Sequence, residues 1–291
     1  MPSLDLQQFG GLAPKIAERK LPDGAAQTAN NVRLESGDLE SLQTHTTLAS
    51  QPDLATNTRT IFKYGSDWFS FTGQNVSLID SPIPQDQYDR VYYTGDGSPK
   101  VTSNLIATGV GADPQASYDL GVPVPAAAPT SFTVNGTDSD PENFSDDDTR
   151  FYLVTYVTEY GEEGPPGPVS QAVTVDEPST QTVSMDLPTP AVNTANITAK
   201  RLYRTATSGN DTDFFFVAEF PVANVTITDN VLPSGIGLAL GTEDFLPPPA
   251  NMQGLVLGPN GIAAGFADNE LLFSEPFLPY AWPNAYKRSL E

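Results

Sequence analysis

From Pro129 to about Leu246 one pattern recurs: a short run rich in Val, Thr, Tyr and Phe, closed by Gly, Pro or Asn before the next begins. The runs are TSFTVN, RFYLVTYVTEY, QAVTVD, QTVSMDL, ITAKRLYRTA, FFFVAEF and VTITDNV. Apolar and polar residues alternate within them, the period-2 pattern of strands with one face buried. About seven such strands in about 115 residues cover their apolar sides by pairing two sheets face to face, so the sequence predicts an independent β-sandwich over residues 129–246. Tyr152, Val154, Tyr156, Leu202, Tyr203, Phe216 and Val217 are its expected core.

Prolines frame this region. LGVPVPAAAPT, centred on residues 121–128, is uncharged and reads as an extended, semi-rigid linker, and Pro247 to Pro249 read as its counterpart on the far side. Ahead of the first linker, RTIFKY, DWFSFT, NVSLID, DRVYYT and KVTSNLIA are separated by turn signals at Gly65-Ser66, Gly73-Gln74 and Gly95-Asp96-Gly97. Beyond the second, alternation runs through Ile262, Ala264 and Phe266, turns at Asp268-Asn269, and resumes through Leu271 and Phe273 before Pro276. Evenly spaced strands of this kind build propeller blades or barrel sheets. The aromatics Phe62, Tyr64, Trp68, Phe69, Phe71, Tyr92 and Tyr93 are read as packing between sheets.

The predicted fold class is all-β: a propeller-like β platform interrupted by a fibronectin-III or immunoglobulin-like β-sandwich. Residues 1–50 form an N-terminal docking segment, 51–120 propeller-like blades, 121–128 the linker, 129–246 the sandwich and 247–291 a second part of the platform. The opening segment has a turn at Pro22-Asp23-Gly24 and an expected short helix over Ala25–Asn31. It has little periodicity, so it packs on its own domain or on a neighbouring subunit.

Composition narrows the chemistry. There is no Cys and a single His, His45, which excludes thiolate or multi-His metal sites, a Cys nucleophile, disulfides and an antibody-type Cys pair. The net charge of −22 argues against wrapping nucleic acid or adhering to anionic membrane. The N-terminus MPSLDLQQFGG has no basic start or apolar core, and no apolar run reaches membrane-spanning length, so neither a secretory signal nor a membrane segment is expected.

Few motifs carry chemistry. Asp138 to Asp148 groups hard oxygens but lacks the glycine and closing Glu of an EF-hand, so it reads as a solvated loop. Ser274 has no nucleophile-elbow glycines, and no Gly-rich loop cradles phosphate. No catalytic residue, cofactor or metal site is assigned.

Three blocks resemble one family. FGG with Pro14, then LPDGAAQTANN and GDLESL; DRVYYTGDGSPKVT; and GLVLGPNGIAAGFADNELLFSEPFLPYAWPNAY are together similar to the tail nozzle, or tail tubular, proteins of short-tailed bacteriophages. The resemblance covers residues 9–43, 86–102 and 254–288, with fibronectin-like sequence between. It implies a virion tail subunit, made in the host cytoplasm, that is not an enzyme and forms a homo-oligomeric ring, a hexamer in that family. It also implies contacts with an adaptor or portal-proximal ring and with tail fibres, and a lumen that DNA crosses transiently without sequence-specific binding. Phe9, Leu12, Pro14, Leu21, Trp282 and Tyr286 are the candidate assembly contacts. About eight strands outside the sandwich make about two blades, fewer than a closed propeller needs. The chain is therefore either part of a longer protein or a shortened relative completed by partners. The alternatives are a carbohydrate-binding adhesin, which requires exposed aromatics on one face, and a glycoside hydrolase, which requires two carboxylates in a cleft.

Overall fold

The computed structural model describes residues 10–33, 40–41, 53–143, 147–208 and 211–290. Within them the chain is all-β, its helical content confined to single 3-10 turns. It divides into two compact units, residues 1–51 and 52–291.

In the first unit, β1 (Gly11–Leu12) pairs in parallel with β2 (Ala25–Ala26), and β3 (Val32–Arg33) pairs antiparallel with β4 (Glu40–Ser41). The Pro22-Asp23-Gly24 turn closes through the Ala25 N–H donating to Pro22 O at 3.0 Å, with Gly24 at φ +86°. The helix expected over Ala25–Asn31 does not form. The backbone of Ala25 and Ala26 is engaged by β1, and Asn31 sits at φ +58°, outside helical space. None of residues 10–33 is buried.

The second unit begins with a hairpin, β5 (Thr60–Tyr64) and β6 (Asp67–Phe71), followed by an antiparallel meander of β7 (Ser77–Asp80), β8 (Val91–Thr94), β9 (Lys100–Thr102) and β10 (Tyr118–Asp119). The hairpin covers one face of the meander: Phe71 lies 5.2 Å from Tyr93 and Tyr64 stacks on Phe69 at 4.6 Å. Val91 and Tyr93 point into that small core while Tyr92 joins the main one, so every residue of β8 is buried. Of the seven aromatics expected between sheets, Phe69, Phe71, Tyr92 and Tyr93 are buried, and Phe62, Tyr64 and Trp68 are half-buried.

Next come β11 (Thr130–Asn135), β12 (Asp148–Arg150), β13 (Tyr152–Thr158), β14 (Val173–Val175), β15 (Thr182–Asp186), β16 (Ile197–Ser208), β17 (Asp211–Pro221) and β18 (Thr226–Asp229). They form two three-stranded antiparallel sheets, β11-β15-β18 and β13-β16-β17, with β12 and β14 as a separate pair. The two sheets share one core, in which Val183, Met185 and Ile227 of the first meet Val154, Leu202 and Val217 of the second. Phe132 stacks on Tyr152 across it at 5.8 Å. Tyr203 is buried as expected, with its hydroxyl donating to Glu163 Oε1 at 2.7 Å, but Phe216 is a correction to the expected core. A bulge between Leu202 and Tyr203 shifts the register, Leu202 and Val217 join the main core cluster, and Phe216, edge to face with Tyr203, is only half-buried. Residues 236–240 run against Phe216, whose N–H donates to Leu238 O.

The free edge of β13 is covered by the Pro-rich run after it. Gly164, Gly167 and Ser170 donate their N–H groups to the carbonyls of Tyr156, Val154 and Tyr152, and prolines occupy positions between them. Proline is tolerated there because only every third N–H group, at residues 164, 167 and 170, is required, and the edge is closed to further pairing.

The last sheet is the antiparallel meander β19 (Gln253–Leu257), β20 (Ala263–Ala267), β21 (Glu270–Phe273) and β22 (Arg288–Ser289). Its β19 packs along β7 and β8, where the Leu255 N–H donates to Thr94 Oγ1 at 3.2 Å. One core cluster runs from Ile79 and Tyr92 through the paired sheets to Met252 and Trp282. The Pro-rich segments are accordingly packed rather than free hinges. Val122 is fully buried against Gly164, and Gly121, at φ +94°, has no room for a Cβ because Pro247 lies 2.6 Å from where it would sit.

Candidate assembly surface

The expected contact residues fall in different environments. Phe9 lies outside the described residues. Leu12 and Pro14 are exposed and Leu21 is half-buried in the first unit. Tyr286 is exposed in the second. Trp282 is a correction: its side chain is 2% exposed, its N–H donates to Leu246 O, and its indole N–H donates to Pro279 O at 2.8 Å. It pins the segment leading from the paired sheets into the last meander and offers nothing to a partner.

Around Tyr286 the sequence pattern produces an unusual sheet. Residues paired across neighbouring strands lie on one face, and the registers Val256–Ala264–Phe273 and Phe266–Leu271 put five apolar residues on the same side of β19 to β21. Ala263, Ala267 and Leu272 on the opposite side fill the core. The outer face is therefore apolar where a surface sheet is ordinarily polar. Val256 is 56% exposed, Phe266 44% and Phe277 45%. At one end Ile262, Phe273, Ser274, Pro276, Tyr286 and Arg288 line a recess of about 280 Å³, Arg288 lying on the same outer face through its pairing with Leu271. Its rim is of mixed charge: Arg288 lines it, Lys287 pairs with Glu270 nearby, and the Tyr286 hydroxyl is raised above its ordinary pKa first by a hydrogen bond with Glu275 and also by the charge of Asp244.

Buried charges hold the framework behind this face. Arg90 donates from Nε to Asp86 at 2.7 Å and from Nη1 to Glu162 at 2.6 Å, and all three side chains are nearly inaccessible. One guanidinium cannot compensate two buried carboxylates equally. Burial pushes Glu162 up to about 7, whereas for Asp86 the hydrogen bonds from Arg90, Ser81 and the Tyr88 N–H outweigh burial and lower it. Tyr88 and Tyr160 flank the pair edge to face at 4.9 Å. A second cluster centres on Asp229, which accepts from Arg204 Nη1 at 2.6 Å and from the Tyr152 hydroxyl at 3.0 Å. Lys200, also fully buried, donates to Thr189 Oγ1 and Asn224 O, and burial lowers its pKa.

A polar cleft of about 630 Å³ opens between the β5–β6 turn and residues 80–91. Tyr64 is its one aromatic lining residue, already stacked on Phe69. Among the described residues, no three His, Asp or Glu side chains approach as a metal-holding group. No helix among them is long and apolar enough to cross a membrane. Sequence reasoning singled out Tyr286, which is exposed, and passed over the likewise exposed Val256, Phe266 and Phe277. The signal was available in the alternation itself, since a polar outer face would have replaced Phe266, Leu271 and Phe273 with charged residues. The chain matches no protein-family model, and no curated protein is significantly similar to it.

Proposed function

We propose that this protein is a structural subunit of a short-tailed bacteriophage tail, a ring-forming nozzle or tail-tube-like component of the DNA ejection conduit. The observation that carries the reading is that one of the blocks similar to that family, residues 254–288, folds into a sheet that turns an apolar face to solvent. In this reading the two four-stranded meanders are blade-like parts of a platform, the paired sheets are a fibronectin-III-like insertion, and the apolar face meets another subunit in the virion. Contiguous exposed apolar surface marks interaction sites. Adaptor or portal-proximal proteins and tail fibres are the further partners, and the carboxylate-rich surface lines a lumen that repels phosphate and lets DNA slide.

The chemistry asked of the chain is assembly rather than turnover. Val256 and Leu271 interleave with Phe266 and Phe273, an aliphatic-aromatic mix that suits protein contact better than sugar stacking, which favours the adhesin alternative less. Negative-stain imaging of the purified protein tests the reading: closed rings with a central channel are expected, and monodisperse single particles at every concentration contradict it.

A further inference from the structure

Two buried carboxylates share one cation where three stretches of the second unit meet. Asp86 and Arg90 precede β8, Glu162 closes the turn after β13, and Tyr280 comes from the loop after β21. Arg90 is the one cation that either carboxylate pairs with among the described residues. The other groups facing Glu162 are Tyr92 on β8, Tyr280, and Thr158 and Tyr160 of its own turn. All three tyrosine hydroxyls are raised above their ordinary pKa, first by burial and also by the Glu162 charge, so none of them offsets it. The set is one positive charge short.

The shortfall falls on Glu162. Asp86 accepts from Arg90 Nε at 2.7 Å and from the Tyr88 N–H at 3.1 Å, whereas Glu162 adds to Arg90 Nη1 a Thr158 hydroxyl at 3.5 Å. A buried carboxylate so weakly compensated either holds a proton or moves to water, and its burial accordingly pushes Glu162 up to about 7. Water is close by. Glu159 and Gly161 of the same turn are exposed, and a Cβ on Gly161, at φ +76°, would meet nothing within 4 Å.

We propose that Glu162 is the proton-operated latch of a local conformational switch. Neutral, it lies against Arg90 and locks the 86–90 connection to the 158–162 turn; ionised, it swings out with that turn and the two segments part. The contacts that separate include Tyr88 on Tyr160 at 4.9 Å and the Tyr88 hydroxyl on Glu159 O at 3.4 Å. Arg90 and Asp86 also line the polar cleft of about 630 Å³, so opening the latch reshapes its wall. The rest of the second unit stays folded on the core shared by the paired sheets and the last meander. The open carboxyl titrates at its ordinary 4.5 and the closed one near 7, so opening gains as pH rises between them.

Hydrogen exchange of the full chain at about pH 5.5 and about pH 8, corrected for the intrinsic rate, tests the latch. The N–H groups of Tyr88, which donates to Asp86, and Gly161, which donates to Thr158 O, are expected to lose at least about tenfold in protection at the higher pH, while those of β16 and β17 do not change. Glu162→Gln keeps both segments protected at both pH values. Asp86→Asn separates a latch from a merely structural pair: it leaves the whole guanidinium to Glu162, so opening at pH 8 falls toward its pH 5.5 level. His45, the single histidine, is the side chain whose ordinary pKa lies in this range, and His45→Gln leaves the effect in place. Should Glu162→Gln fail to fold, Asp86→Asn carries the test. Wild-type protection that does not change with pH, an effect that survives Glu162→Gln or vanishes with His45→Gln, or an Asp86→Asn protein that is looser at both pH values overturns the proposal.

Discussion

Arg90 Nη1 donates to Glu162 Oε1 at 2.6 Å, tying the connection before β8 to the turn after β13, 72 residues further along the chain. Asp86 takes the Nε side of the same guanidinium, so two carboxylates compete for one buried cation.

That competition sets a pH dependence. The folded Glu162 carboxyl titrates near 7, above its ordinary value of 4.5, so the folded protein holds a proton the unfolded chain has lost between those values. Stability from this group is present below about 4.5 and is lost as pH rises to about 7, by on the order of 2–3 kcal/mol. Glu162→Gln removes the effect. The wild-type Tm minus the variant Tm is expected to be higher at pH 5 than at pH 8, and a difference that does not change with pH refutes the assignment.

Trp282 is a core residue, and its truncation is expected to act through stability. Trp282→Ala should cost about 3–5 kcal/mol, lowering Tm under conditions where the remaining folded protein still assembles. Loss of assembly with an unchanged Tm would restore the contact role that its burial removes.

Asp229 is 1% exposed and anchors Arg204 and Tyr152. Asp229→Asn leaves the buried guanidinium uncompensated and is expected to destabilise by about 3–5 kcal/mol in urea unfolding. An effect under about 1 kcal/mol would mean that Asp148, already bonded to the neighbouring Arg150, and water take over the charge.

Gly121 and Gly97 separate crowding from backbone conformation. Both have positive φ, +94° and +83°, but a Cβ at Gly121 meets Pro247 at 2.6 Å whereas one at Gly97 meets nothing within 4 Å. Gly97→Ala should cost about 1 kcal/mol and Gly121→Ala clearly more, because it also forces the two Pro-rich segments apart. Equal melting temperatures for the two variants would show that the segments are loosely packed.

Strand positions were the most legible part of the chain because alternation survives wherever one face is solvated. TSFTVN, QTVSMDL and the hairpin through Phe266 and Leu271 fall where their patterns put them. Alternation loses meaning on β8 and β13, whose residues are buried on both sides: the β5–β6 hairpin covers one face of β8, and β13 has the Pro-rich run of residues 164–170 along its edge. The bulge at Val217 left Phe216 half-buried outside the main core cluster, a one-residue event that composition does not encode. Trp282 was misjudged because Trp anchors interfaces and cores by the same burial of area, and only tertiary structure tells them apart. Tyr286 was singled out as a candidate contact from its aromatic loop, but the apolar face beside it emerged only when β19, which was not anticipated as a separate strand, paired with β20.

The central claim, that this chain is a tail subunit, is tested most directly by quantitative mass spectrometry of short-tailed particles purified from cells in which the chain is expressed. The account predicts its peptides in the tail fraction at a fixed ratio to the portal ring, one that corresponds to a whole number of subunits in a closed ring. Peptides found only in the soluble lysate, with none in purified particles, would contradict it.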